Sequence, residues 1–270
     1  MDNRPVGIFD SGLGGLTTVR ELRKRMPNEN IVYFGDTGRV PYGTRSRETV
    51  RRYSAQDIRF LLSKDVKMVI VACNTAAAAL AGGITELSVP CAEALTPAVD
   101  AAQAATRNGR IAVIGTSATI KSGAYERALH SLNPVLQVTA VPCPLFVPLV
   151  ENGFTSPDNQ ITRLVAEQYL EPVRQSGADT LILGCTHYPI IKEIIGRIMG
   201  GSVRLIDSGQ EAARAAEALL NREGMANGSG KEGVCRYYVS DSAADFAESA
   251  RAILGGEVAG SAEQIDIEAF

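Results

Sequence analysis

Val69-Ile70-Val71-Ala72-Cys73-Asn74-Thr75 and Leu181-Ile182-Leu183-Gly184-Cys185-Thr186-His187 repeat one pattern, a β-branched and aliphatic run that ends in cysteine and passes at once into polar residues. An uninterrupted apolar run bounded by turn-forming residues is what a central parallel strand requires, because both of its faces are covered. Each cysteine then stands at the carboxyl end of a buried strand. Ligands of open α/β sheets sit just outside those ends, so two matched cysteines point to one site built from two matched halves. Two thiols facing a substrate from opposite sides can take a proton from one face of a carbon and return one to the other.

The elements outward from these runs alternate. Residues 6–10 read as a strand, Ser11-Gly12-Leu13-Gly14-Gly15 as a turn, and the following segment as a helix with apolar positions at Leu16, Val19, Leu22 and Met26. Residues 31–34 form a second strand, the loop from Gly35 to Gly43 is rich in backbone-permissive residues, and a helix over residues 46–63 leads into the Cys73 strand. This is βαβαβ, hence a parallel sheet. After Pro97 the order restarts: helix 98–105, strand 111–114, turn Gly115-Thr116-Ser117, helix 122–132, strand 137–141, loop 142–154, helix 161–175 and strand 180–183. The cysteines lie 112 positions apart, and Asp10 and Gly115 lie 105 apart, so the halves match to within one loop.

The expected fold class is α/β, with two pseudo-symmetric lobes, each a central, mainly parallel sheet flanked by helices, and the site in the cleft between them. The remainder offers a strand at 203–206, an alanine-rich helix at 210–220, a strand at 235–239 and a helix at 243–254, too little for a third core. The first lobe is therefore expected to be discontinuous, residues 1–96 plus 208–270, with 97–207 as the second. Residues 255–270 read as a frayed tail.

At 270 residues, 45% hydrophobic and 21% charged, the chain is globular and neither disordered nor fibrous. Its net charge of −3, with basic residues dispersed, argues against nucleic acid as a partner. The short polar start suggests no secretory signal or membrane span, hence a cytoplasmic protein. Five cysteines without a C-x-x-C pair fit free thiols in a reducing compartment.

Cysteine is commonly an inert small hydrophobe, and Cys91, Cys143 and Cys235 fit that role. Cys73 and Cys185 differ because each precedes a helix start, with Asn74 and Thr75 as capping residues and Pro189 opening a helix over 189–199. A helix N-terminus lowers a thiol pKa, which marks these two as the bases. One of only two histidines, His187, lies two residues beyond Cys185 and reads as its proton partner, although a lone histidine is more often structural. Asp10 reads as the counterpart beside Cys73, as a binder of an amino group, or as the Asx-turn acceptor for Ser11-Gly12.

Gly12-Leu13-Gly14-Gly15-Leu16-Thr17 approaches a dinucleotide-binding fingerprint but carries Thr17 at its last glycine position, and Asp10 would face the pyrophosphate. Two histidines without paired cysteines make a poor metal site, and none of the six lysines stands beside these motifs as pyridoxal phosphate needs. The chemistry is expected to need no cofactor and no metal.

The chain resembles the bacterial glutamate racemase family over almost its full length. The resemblance rests on Gly7-Ile8-Phe9-Asp10-Ser11-Gly12-Leu13-Gly14-Gly15, Gly35-Asp36-Thr37 with Pro41-Tyr42-Gly43, Ala72-Cys73-Asn74-Thr75-Ala76 and Gly184-Cys185-Thr186-His187-Tyr188-Pro189. It implies Cys73 and Cys185 as the acid/base pair, Asp10 and His187 as their proton-handling partners, and Ser11, Tyr42, Gly43, Asn74, Thr75, Thr186 and His187 in substrate contact. Thr116 and Glu151 are similar to family positions lining the site. The resemblance further implies L- and D-glutamate as substrates, D-glutamate supply for peptidoglycan, and a homodimer. The short N-terminus lacks the extension through which some members respond to a cell-wall precursor. A racemase for aspartate or another amino acid is the neighbouring alternative, and a non-catalytic amino-acid or nucleotide sensor the remote one.

Overall fold

The computed structural model describes residues 2–83, 87–254 and 262–270. From the N-terminus, β1 (Val6–Asp10), α1 (Leu16–Arg25), β2 (Ile31–Gly35), α2 (Arg47–Ser63) and β3 (Met68–Val71) complete the first βαβαβ run. Ser46 caps α2 by accepting from the Thr49 amide, so this helix starts where its sequence signal stands. After β3, Cys73 itself is the N-cap of α3 (Asn74–Leu80), and Asn74 is already helical. β4 (Cys91–Glu93) and α4 (Leu95–Ala105) lead to the second sheet. The three residues of β4 lie outside every strand expected from sequence, because a segment that short carries no period.

The second run is β5 (Arg110–Gly115), α5 (Ser117–Lys121), α6 (Ala124–Leu132), β6 (Gln137–Pro142), α7 (Phe146–Glu151), α8 (Gln160–Ser176), β7 (Thr180–Gly184), α9 (Lys192–Met199) and β8 (Arg204–Asp207). Three expectations change here. The helix expected over 122–132 begins at Ala124, and Gly123, at φ +62°, separates it from α5, a short helix over residues 117–121 that the sequence reading did not contain. The loop expected over 142–154 contains α7, whose Phe146 and Val150 are buried in the second core. The helix expected from Pro189 opens as a 3-10 turn, Tyr188–Ile191, before α9.

α10 (Ser208–Arg222), β9 (Cys235–Val239), α11 (Ala243–Leu254) and β10 (Ala262–Gln264) finish the chain. β10 corrects the reading of the tail as frayed. It pairs in parallel with β9, and the 3-10 turn Ile267–Ala269 buries Ile267 against the first core while the Phe270 ring packs edge-on to Phe60. Residues 255–261 lie outside the described residues.

Two parallel sheets result, ordered β10-β9-β2-β1-β3-β4 and β6-β5-β7-β8. The run β2-β1-β3-β4 corresponds strand for strand to β6-β5-β7-β8, which is the internal symmetry the paired cysteines suggest. β1 is flanked by β2 and β3, with Asp10 opposite Gly35 and Phe9 opposite Val71; β5 is flanked by β6 and β7, with Gly115 opposite Pro142 and Gly184. Each of these central strands is a topological switch point, where the chain leaves in opposite directions and a crevice opens beyond the strand ends.

Candidate active site

Both crevices open into one cavity of about 400 Å³, within the range of small-ligand sites. Cys73, beyond β3, reaches it from the first lobe, and Cys185, beyond β7, from the second. Ser11, Tyr42, Gly43, Asn74, Thr75, Thr116, Glu151, Thr186 and His187 share its wall. The structure thus brings together every site residue read from sequence except Asp10. That carboxyl is fully buried beneath the wall, accepting from the Gly12 amide at 3.0 Å in Asx-turn fashion and from Thr186 Oγ1 at 3.2 Å. Burial raises its pKa, while His187 and the amides of Gly15 and Gly12 pull in the opposite direction.

The two thiols have different companions. Cys73 Sγ lies 3.6 Å from Ser11 Oγ, and Cys185 Sγ lies 3.8 Å from His187 Nδ1. His187 Nε2 in turn donates to Glu151 Oε1 at 2.9 Å. Burial alone would lower the imidazole pKa, but its hydrogen bonds to Cys185 and Glu151 outweigh that and push it up to about 10. His187 is therefore an imidazolium at neutral pH.

The expectation that a helix start lowers the Cys73 thiol is overturned. Burial, joined by the Asp10 charge, pushes it up to about 12, against the opposing Ala76 amide and Ser11 hydroxyl. Desolvation of a fully enclosed thiolate exceeds what the opening turn of a seven-residue helix returns. Without substrate, Cys73 is a thiol.

Two polar side chains on the wall are already committed. The Asn74 amide donates to Ser208 Oγ at 2.9 Å and accepts from the Tyr125 hydroxyl, so it ties α3 to α6 and α10. Tyr42 turns its hydroxyl into a buried acidic cluster, donating to Asp36 and lying 2.9 Å from Asp57 Oδ2. The Tyr42 hydroxyl thus reaches both carboxyls, and burial, then the Asp36 charge, push the Asp57 pKa well up. Arg39 closes the cluster, 2.7 Å from Asp36 and 3.1 Å from Asp57. This network holds the segment that delivers Tyr42 and Gly43. Gly43 presses on Thr116 of the other lobe so closely that a Cβ there would come within 2.7 Å of the Thr116 Cβ.

Sequence reading missed Val40, Pro41, Thr44, Ser117, Pro144, Val147 and Pro148, all on the wall. The internal repeat contained the signal. The segment after β6 corresponds to the loop after β2, so Val147 and Pro148, at the same distance past their strand, stand as counterparts of Val40 and Pro41. Among the described residues, no cluster of three His, Cys, Asp or Glu side chains is arranged to hold a metal ion, and no helix is long and apolar enough to cross a membrane.

Comparison with known proteins agrees with this geometry. The Asp/Glu/hydantoin racemase family model matches residues 17–216. A glutamate racemase of Geobacter metallireducens is 45% identical over 267 residues, 98% of each chain. Among solved structures, a Bacillus anthracis glutamate racemase superposes with a TM-score of 0.93 at 36% identity over 98% of each chain. A Francisella tularensis glutamate racemase in complex with D-glutamate does so with a TM-score of 0.90 at 38% identity over 100% of each. A match that runs through both switch points and nearly the full length of each relative makes this chain a member of the Asp/Glu/hydantoin racemase family, an isomerase family.

Proposed function

We propose that the protein is a glutamate racemase that interconverts L- and D-glutamate by two-base proton transfer at the α-carbon. The carrying observation is that Cys73 and Cys185, each beyond a strand next to its sheet's switch point, line a single cavity from opposite lobes. In the L-to-D direction Cys185, as thiolate beside the His187 imidazolium, takes the α-proton while the Cys73 thiol donates its proton to the opposite face. The reverse direction exchanges these roles; one proton leaves the α-carbon for one sulfur and one arrives from the other, so the carbon begins and ends with the same number. Cys73 held as a thiol suits the donor, and His187, anchored by Glu151 and 3.8 Å from Cys185 Sγ, suits that thiol's proton partner.

Asp10 positions the first lobe's turn and Thr186, and Ser11 lies beside Cys73. Thr75, Thr116 and Thr186 supply hydroxyls, and Ser11, Gly43 and Asn74 backbone, for the substrate's carboxylates and amino group, with Tyr42 closing the wall. Cys73, Thr75, Thr186 and His187 are buried, and that enclosure strengthens each such interaction as negative charge develops on the α-carboxylate. The lobes are residues 1–96 with 208–270, and 97–207. The reaction takes no metal or cofactor, and the protein is a cytoplasmic homodimer supplying D-glutamate for peptidoglycan. The D-glutamate complex of the Francisella relative supports a small amino acid as the ligand.

Circular dichroism of purified, exhaustively chelated protein against a panel of free amino acids tests this reading. Glutamate should racemise and outrank aspartate in kcat/KM, because donors fixed for the distal carboxylate go unpaired when the side chain is shorter, at about 1 to 3 kcal/mol each. In deuterated water the new enantiomer should carry solvent deuterium. Cys73→Ser and Cys185→Ser should each reduce racemisation by at least about 10²-fold while preserving binding. Near-normal racemisation by both folded variants would sink the two-thiol mechanism, and equal or greater turnover of aspartate would sink the substrate.

A further inference from the structure

The two sheets match strand for strand except for β9 and β10, which extend the first beyond β2. In the second lobe the segment after β6 anchors itself, because Phe146 and Val150 of α7 are buried in that lobe's core. The matching loop after β2 forms only two 3-10 turns, Thr37–Arg39 and Tyr42–Thr44, and the first of them buries no residue. Yet this loop delivers Val40, Tyr42 and Gly43 to the cysteine cavity, so its hold must come from elsewhere.

The two extra strands supply it. β9 pairs with β2 so that Gly35 stands opposite Val239, and Ser240 emerges beside Asp36. Ser240 Oγ accepts from the Gly38 amide at 2.8 Å and donates to Asp36 Oδ1 at 2.8 Å, while the Asp241 amide donates to Thr37 Oγ1 at 3.1 Å. Beyond β10, Glu268 accepts from Arg39 at 3.1 Å and from the Gln56 side chain at 3.4 Å.

Arg39 gathers these contacts. Its Nε donates to Asp36 Oδ2, the oxygen that also accepts from the Tyr42 hydroxyl, while Nη1 donates to Gln56 and Glu268, and Nη2 to Asp57. The guanidinium lies 4.1 Å from the centroid of the Tyr53 ring, which in turn packs on Tyr42 at 5.5 Å. A planar fork thus meets a different partner along each edge and an aromatic face above it. Arg39, Ser240 and Glu268 form no part of the cavity lining, so each acts on it only through the loop.

We propose that Arg39 is the positioning residue of the loop bearing Tyr42 and Gly43, and that β9 and the turn after β10, through Ser240 and Glu268, set substrate affinity by holding it. On the racemase reading, on which this rests, the reacting groups stand elsewhere. Cys73 caps α3, and Cys185 and His187 lie between β7 and the turn Tyr188–Ile191. A loosened loop therefore weakens the grip on glutamate while proton transfer keeps its geometry.

Arg39→Gln, Ser240→Ala and Glu268→Lys are compared with the parent protein in racemisation kinetics from either enantiomer, and in hydrogen exchange of residues 36–45 read by mass spectrometry. Exchange should quicken in all three without substrate. KM for glutamate should rise about tenfold in Arg39→Gln, the scale of losing charge-assisted hydrogen bonds, with kcat within about twofold of the parent. Ser240→Ala should raise KM several-fold, and Ser240→Thr, which keeps the hydroxyl, should restore it. Glu268→Lys sets a cation against Arg39 and should raise KM several-fold, less so at high salt. Should Arg39→Gln fail to fold, the Ser240 and Glu268 variants decide, because the one side chain is only partly buried and the other exposed. Parent-like KM in any of the folded variants overturns the proposal, as does a fall in kcat with KM unchanged, or an equal rise in KM in Ser240→Thr. If the parent itself leaves glutamate untouched, the racemase assignment falls and this proposal with it; if the parent racemises and its variants keep its KM, this proposal falls alone.

Discussion

The Nε2 atom of His187 lies 2.9 Å from Glu151 Oε1, a contact that joins α7 to the turn after β7. It helps to hold an almost fully buried imidazole in its charged form, up to about 10 against an ordinary value of 6.5.

A stability profile follows from that shift. A group whose folded pKa is raised contributes stability that is fully present below its unfolded pKa, here about 6.5, and lost as pH rises through the folded one. Urea unfolding of the substrate-free protein should show stability declining between pH 6.5 and 10 through His187. Glu151→Gln should flatten that decline and lower the imidazole titration followed by NMR. An unchanged imidazole titration in this variant would mean that Glu151 does not set the charge.

The Cys73 thiol, pushed up to about 12, should resist alkylation at pH 8. Asp10→Asn removes a charge that favours the protonated thiol, so iodoacetamide labelling of Cys73, read by peptide mass spectrometry, should quicken several-fold. Labelling no faster in the folded variant would assign the shift to burial alone.

Gly14 leaves no space for a side chain. A Cβ there would collide with Thr186 Oγ1 and come within 2.6 Å of His187 Nδ1. Gly14→Ala should cost about 1 to 3 kcal/mol of stability through overpacking. By displacing the imidazole it should also lower kcat by about 10²-fold, the scale of a misplaced proton-transfer group. A variant with reduced stability and full kcat would show that His187 tolerates displacement.

Lys67 is fully buried, 2.6 Å from Glu29 Oε2, and donates to the carbonyls of Asp2 and Met225. Lys67→Met leaves the Glu29 carboxylate enclosed without its counter-charge and should cost about 3 to 5 kcal/mol in urea unfolding. The double variant Lys67→Met/Glu29→Gln should recover part of that loss. Neither residue lines the cysteine cavity, so kcat of the folded fraction should be unchanged; a fall in kcat would connect this pair to the site.

What the sequence by itself determined is whatever local pattern encodes. Apolar runs closed by polar turns located β1, β3, β5 and β7, the restart after Pro97 exposed the two halves, and the cysteines marked the strand ends on which the site is built. Those features are legible because strand burial and turn formation act on adjacent residues. Tertiary structure alone decided what depends on neighbours distant in sequence. β10 is a polar three-residue segment with no strand signature, and it is a strand because β9 offers it a free edge. Asp10 lies under the wall instead of on it because Gly12 and Thr186 close over its carboxyl. The helix start beside Cys73 was readable, but the sign of its pKa shift was not: desolvation depends on the whole enclosure and outweighs a few local amides. For the same reason His187 became an imidazolium only once folding carried Glu151, 36 residues earlier, to its ring.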